Sequence, residues 1–142
     1  MKKIEDVILF QIDLTSKVSK SYSQKEFDKL KLGITVEQWV ILKIISEWPM
    51  LTQKEIAAKS YRDPASITRT LDLLEKKKLL NRVAIPNNRR TYNIQLTETG
   101  KTFIKDNMSL IKSQRKRSIK GLSKKELADL SLILSKIREN MM

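Results

Sequence analysis

The sequence predicts a mainly α-helical fold with one small β-hairpin, and three observations predict it. Apolar residues recur at helical spacing over long stretches at both ends of the chain. A strict apolar–polar alternation, the mark of a half-buried strand, runs from Thr91 to Leu96 behind a second apolar run, Leu80 to Ile85. Helix-start signals, a Thr, Ser or Asp followed by Glu, Gln or Pro at the positions a cap requires, stand before the helical stretches.

Ile4, Val7, Ile8, Leu14, Val18 and Tyr22 mark a long first helix, and Leu9, Phe10 and Ile12 widen its apolar belt until it must touch more than one neighbour. Gly33 ends it. Thr35-Val36-Glu37-Gln38 is a capping box opening a helix through Val40, Ile44, Ile45 and Trp48, which stops at Pro49. Thr52-Gln53-Lys54-Glu55 is another, opening a short helix whose buried side is Ile56 and Ala57. Ser60-Tyr61-Arg62 breaks the pattern, and Asp63-Pro64 restarts it with an N-cap and a proline pre-set for the first helical position. Ile67, Leu71 and Leu74 form the core stripe of this helix, while Ala65, Ser66, Thr68, Arg69 and Asp72 face away. The hairpin follows, its strands joined by Pro86-Asn87-Asn88-Arg89-Arg90. Thr97-Glu98-Thr99-Gly100 starts a long helix through Phe103, Ile104, Met108 and Ile111 that continues into the basic run Lys112 to Lys120. Gly121 and the capping box Ser123-Lys124-Lys125-Glu126 lead into a last helix with Leu127, Leu130, Leu134, Ile137 and Met141 on one stripe.

From Thr52 to Thr97 this is the order of a winged helix-turn-helix, flanked by long N- and C-terminal helices. The expected organisation is a single domain, 1–142, with residues 35–97 as the DNA-binding region and residues 1–34 and 98–142 as a helical dimerisation region. Both terminal helices carry apolar stripes that a small subunit lacks the partners to cover, so a homodimer is expected. The alternative is that the terminal helices pack on each other within one chain.

Small and hydroxyl-bearing residues at a helix start, followed by arginine, suit a helix that enters the major groove, which makes Ser66, Thr68 and Arg69 candidate DNA contacts. The hairpin tip adds Asn87, Asn88, Arg89 and Arg90: two adjacent cations with no acid nearby suit phosphate or a narrow minor groove. Alone, that tip is equally a solvated turn; behind a helix-turn-helix, the nucleic-acid reading prevails.

Composition agrees. The 142 residues hold 29 Lys+Arg against 16 Asp+Glu, a formal charge of +13 that favours a polyanionic partner. Aromatics are only 6%, with no stacking platform for single strands, so double-stranded DNA is preferred to RNA. The absence of Cys and His excludes disulfides, Cys/His metal sites and His-dependent catalysis, and no paired carboxylates replace them. Neither an enzyme nor a cofactor is expected. Met1-Lys2-Lys3 resembles the start of a signal peptide, but Glu5, Asp6 and Asp13 interrupt any apolar region, and no run approaches the roughly 20 apolar residues of a membrane span. A cytoplasmic protein without membrane partners is expected. The basic run at Lys112–Lys120 reads first as a solvated helix face, with a secondary phosphate contact or a face opposite acids on a partner as the sharper reading.

The ordered set of elements resembles the MarR family of bacterial transcription regulators over nearly the whole chain. The resemblance is carried by Ser66-Ile67-Thr68-Arg69, Leu74-Glu75-Lys76-Lys77, Arg82, the Arg89-Arg90 pair, and Leu96-Thr97-Glu98-Thr99-Gly100. Two departures stand out. Lys78 occupies the place of the family's usual glycine after the recognition helix, so the helix ends less sharply or leaves Lys78 strained. Ile85 and Asn88 stand where acids usually precede the arginine pair, which makes the tip more positive.

The resemblance implies a dimeric repressor on a pseudo-palindromic operator, with the wing in the adjacent minor groove. It also implies release by a small effector. Without Cys or His, an aromatic or other amphipathic molecule bound between the dimerisation helices and the winged helix is the remaining class. Trp39 and Trp48 are read as core packing, with contact to such an effector as the alternative. The competing function is an architectural DNA-binding protein with little sequence preference; a tailored helix face at Ser66, Thr68 and Arg69 argues against it.

Overall fold

The computed structural model describes residues 3–142; the Met1-Lys2 part of the leader-like start lies outside them. A 3-10 turn, Ile4–Asp6, precedes α1 (Ile8–Leu30), α2 (Val36–Glu47), β1 (Leu51–Thr52), α3 (Gln53–Ser60), α4 (Pro64–Lys76), β2 (Leu80–Ile85), β3 (Asn88–Leu96), α5 (Glu98–Ser118) and α6 (Lys124–Met141). The fold is therefore mainly helical with a small antiparallel hairpin, as expected. The chain divides into two compact units, one running to Leu110 and the other spanning Ile111–Met142.

The first unit is organised by its caps. The boxes at Thr35/Gln38 and Thr52/Glu55 both form, side chain to backbone in each direction. The hydrogen bonds from Thr52, first through its backbone N–H, hold the Glu55 carboxyl below its ordinary pKa. Asp63 accepts from the Ser66 N–H at 2.8 Å, and Pro64 takes the first helical position of α4. Ile67, Leu71 and Leu74 are completely buried, packed with Ile41, Leu42, Ile56, Leu80 and Ile94 in one core. At its α1 side, Trp39 meets Phe27 edge-on, with centroids 6.5 Å apart, and lies tilted to Phe103 at 6.3 Å. Arg62, just after α3, pairs with Glu37 of α2 and ties the two helices together.

The sheet has the order β1-β3-β2, all antiparallel. β1 was not expected: its two residues, Leu51 and Thr52, pair with Ile94 and Asn93 and hold the base of the hairpin. Three further expectations are corrected. The connection is a tight Pro86-Asn87 turn rather than a five-residue loop, and Asn88, Arg89 and Arg90 already belong to β3. Tyr92 is exposed instead of facing inward with Ile94; beyond Asn93 the sheet narrows from three strands to two, leaving no third strand beside it. Trp48 is not core: the helix ends at Glu47, Trp48 leaves it at φ −128°, and the residue is 52% exposed, with the Lys59 ammonium 3.7 Å from its ring centroid. Trp39, by contrast, is entirely buried, as core packing requires.

In the second unit the end of α5 turns through Gly121, at φ +88°, into α6. Ser123 and Glu126 form the expected capping box, and the Ser123 bonds lower the Glu126 pKa in the same way as at Glu55. No residue of α6 is buried. Among the described residues no helix is long and apolar enough to cross a membrane.

Candidate nucleic-acid interface

The surface opposite the α4 core stripe is built by helical periodicity alone: with Ile67, Leu71 and Leu74 turned inward, Thr68, Arg69 and Asp72 are exposed and Ser66 is half-buried. Among the described residues Arg69 makes no ion pair, so its guanidinium is available. Thr68 donates its hydroxyl proton to the Pro64 carbonyl at 3.0 Å. Its oxygen accepts from the Gln53 amide at the start of α3. Gln53 was not singled out from the sequence except as part of a cap; its place at the first position of α3, facing the next helix, was the available signal.

α4 is joined to the hairpin by Arg82 of β2. Its guanidinium reaches Asp72 at 2.6 Å and Glu75 at 2.7 Å, and its backbone N–H donates to Glu75 at 3.2 Å. The side chain is only 18% exposed. This bridge neutralises both acids in the second half of α4 and fixes the direction in which β2 leaves the core.

At the tip, Asn87 takes a left-handed conformation at φ +64°. Ile85 pairs with Asn88, whereas Ala84 pairs with Tyr92, so Arg89, Arg90 and Thr91 bulge out of register. The Asn88 side-chain oxygen accepts from the Arg90 backbone N–H at 3.1 Å instead of orienting a guanidinium. Arg89 and Arg90 are exposed and, among the described residues, have no acidic partner. The structure thus exposes Thr68 and Arg69 on the outer side of α4, leaves Ser66 half-buried on the flank away from Thr68, and gathers Asn87, Asn88, Arg89 and Arg90 on one ribbon end.

The root of α5 closes the arrangement. The Thr97 hydroxyl donates to the Lys78 carbonyl at 2.6 Å and accepts from the Gly100 N–H at 3.0 Å, while the Thr97 N–H donates to Leu79 at 3.1 Å. Lys78 itself is left-handed at φ +63°. With its N–H bonded to Glu75 and that of Leu79 to Leu74, it completes a Schellman end for α4 without glycine. The helix ends sharply, and Lys78 bears the strain.

Among the described residues no group of His, Cys, Asp or Glu could hold a metal ion. A model of the MarR family matches residues 34–92. The structure is similar to that of a MarR/EmrR family transcriptional regulator from Acinetobacter sp. ADP1, with TM-score 0.88 and 24% identity over 99% of this chain and 98% of that one. It is similar to the transcriptional regulator SlyA, with TM-score 0.80 and 27% identity over 94% of this chain and 93% of that one. The S. aureus MepR protein, solved as a DNA complex, matches with TM-score 0.80 and 23% identity over 99% of this chain and all of that one (100%).

Proposed function

We propose that this chain, a member of the MarR family of winged helix-turn-helix transcription regulators, is a dimeric repressor that binds a pseudo-palindromic operator. The family fold supports DNA-binding transcriptional regulation, and a MarR-family regulator is not an enzyme. The observation that carries the reading is the pairing of an exposed α4 face at Thr68 and Arg69 with two uncompensated wing arginines, Arg89 and Arg90, on the ribbon that Arg82 ties to the same helix. Ser66, Thr68 and Arg69 enter the major groove; Asn87, Asn88, Arg89 and Arg90 approach the flanking minor groove. The regulator acts in the cytoplasm by occluding a promoter.

Homodimerisation rests on bare apolar surface. None of residues 3–21 is buried, although Ile4, Ile8, Leu9, Leu14 and Val18 lie among them, and Leu130 and Ile133 of α6 are about half exposed. Residues 1–34 and 98–142 form the dimerisation region in this reading, and residues 35–97 the DNA-binding region. A twofold pair would set two α4 helices one helical turn of DNA apart. Relief of repression by a small amphipathic ligand follows the same family logic; a thermal-shift screen of aromatic anions tests it, and no stabilisation by any of them counts against it.

The decisive experiment selects bound fragments from the host genome, then titrates salt against the selected and scrambled duplexes. A specific regulator keeps a large affinity gap at physiological salt. Equal affinity throughout would make the protein an architectural DNA binder driven by its +13 charge.

A further inference from the structure

The hydrogen bonds between α3 and α4 assign a donor and an acceptor to each group. A threonine hydroxyl has a single proton, and Thr68 gives its own to the Pro64 carbonyl. Its contact with Gln53 is therefore that of an acceptor, which places the Gln53 amide nitrogen toward Thr68 and its Oε1 away from it.

Two consequences follow for the surface that faces a groove. Thr68 has no proton left for a base and offers chiefly its methyl group. Gln53, half-buried at the head of α3, keeps its Oε1 and its second amide N–H without a partner among the described residues. A carboxamide with one free donor and one free acceptor complements the major-groove edge of adenine, where N7 accepts and the N6 amine donates.

We propose that Gln53 is a specificity-determining residue that reads an adenine in the major groove, with Thr68 holding the amide in place and presenting its methyl beside it. The inference rests on the reading that α4 enters the major groove, and it moves the hydrogen-bonding role expected of Thr68 onto a residue of the preceding helix. The Gln53 side chain is free of the cap: the Thr52–Glu55 box that starts α3 does not use it.

The test selects duplexes from a random library with full-length wild type, Gln53→Ala, Gln53→Asn and Thr68→Val at one salt concentration. Wild type should enrich a motif with an adenine at a fixed place in each half-site. Gln53→Ala should lose preference at that place only, binding the adenine-bearing duplex about 5- to 100-fold more weakly. Gln53→Asn, one methylene too short, should show the same local loss and stands in if the alanine variant does not fold. Thr68→Val keeps the shape but not the acceptor, so it should weaken the preference at the same place and no other. If the Gln53 variants lose affinity equally on every duplex, the residue only touches phosphate and the inference is overturned; an unchanged motif overturns it as well. A wild type that enriches no motif overturns the major-groove reading itself, and this inference with it.

Discussion

The carbonyl oxygen of Leu79 lies 2.0 Å from the point where a Cβ on Gly100 would stand. The start of α5 thus meets the exit of α4 backbone to backbone, and the obstructing atom cannot swing aside as a side-chain end could. Gly100→Ala should therefore destabilise the fold by about 3 kcal/mol, at the upper end of overpacking costs. Urea unfolding checks it; a midpoint within error of wild type would show that the joint can open.

Lys78 provides the opposite case. It is exposed, and its left-handed backbone costs a residue with a Cβ roughly 1–2 kcal/mol. Glycine removes that strain but adds freedom to the unfolded chain, so Lys78→Gly should stabilise by only about 0.5–1 kcal/mol. A rise in Tm with unchanged far-UV dichroism is the expected result; a fall would mean that the Lys78 side chain supplies more than the conformation costs.

Arg82 should matter to binding more than its position beneath the surface suggests. Arg82→Ala leaves Asp72 and Glu75 as uncompensated negative charge on α4 and loosens the hairpin at its base. Because the Asp72 carboxylate is well exposed, the stability loss should stay near 1 kcal/mol. DNA affinity should fall about tenfold or more, as wing and helix lose their fixed relation. Asp72→Asn in the Arg82→Ala background should recover part of that affinity by removing one of the charges. Fluorescence anisotropy on a selected operator measures both effects, and no recovery would leave loosening of the hairpin as the only cause.

At the wing, Arg89→Ala should lower operator affinity and flatten its dependence on salt by about one unit of slope. The loss should be largest on operators with A·T-rich flanks, where a narrow minor groove concentrates negative potential. Equal losses on A·T and G·C flanks would reduce Arg89 to a phosphate contact. Full retention of affinity would remove the wing from the interface.

The exposed stripes make an assembly prediction. Leu130→Glu together with Ile133→Glu places charge on the uncovered surface of α6, where a monomer would tolerate it at little cost. In a dimer the same change should shift light-scattering mass toward the monomer at micromolar concentration and reduce operator affinity by an order of magnitude or more. A wild type that is already monomeric would defeat the dimer proposal directly.

What could be read from the sequence was whatever depends on neighbouring residues. The boxes at Thr35, Thr52 and Ser123, the Asp63-Pro64 start and the Ile67–Leu71–Leu74 stripe all lie within one or two helical turns, and each is present. The misses depend on distant partners. β1 is too short for any periodicity and exists only because Ile94 and Asn93 come to meet it. Trp48 continued the α2 stripe on paper, but its backbone leaves the helix before its side chain can follow. The bulge at Arg89–Arg90–Thr91 is a matter of register between strands, which composition does not encode. Gln53 looked like a helix-start residue because its partner, Thr68, belongs to another helix.

The base of the hairpin has a mechanical consequence. Leu51 and Arg82 both stand opposite Ile94, one in β1 and the other in β2, so the third strand and the ion-pair bridge to α4 clamp the ribbon at the same level. Past the adjacent Thr52–Asn93 pair only two strands continue toward Pro86 and Asn87, and a two-stranded ribbon with no third strand beside it is only marginally held. The hairpin is a cantilever beam: bending concentrates between the clamp and the bulge, and little of it reaches the buried side chains. In the proposed complex, Arg89 at the free end would follow grooves of different width while the geometry of α4 stays constant.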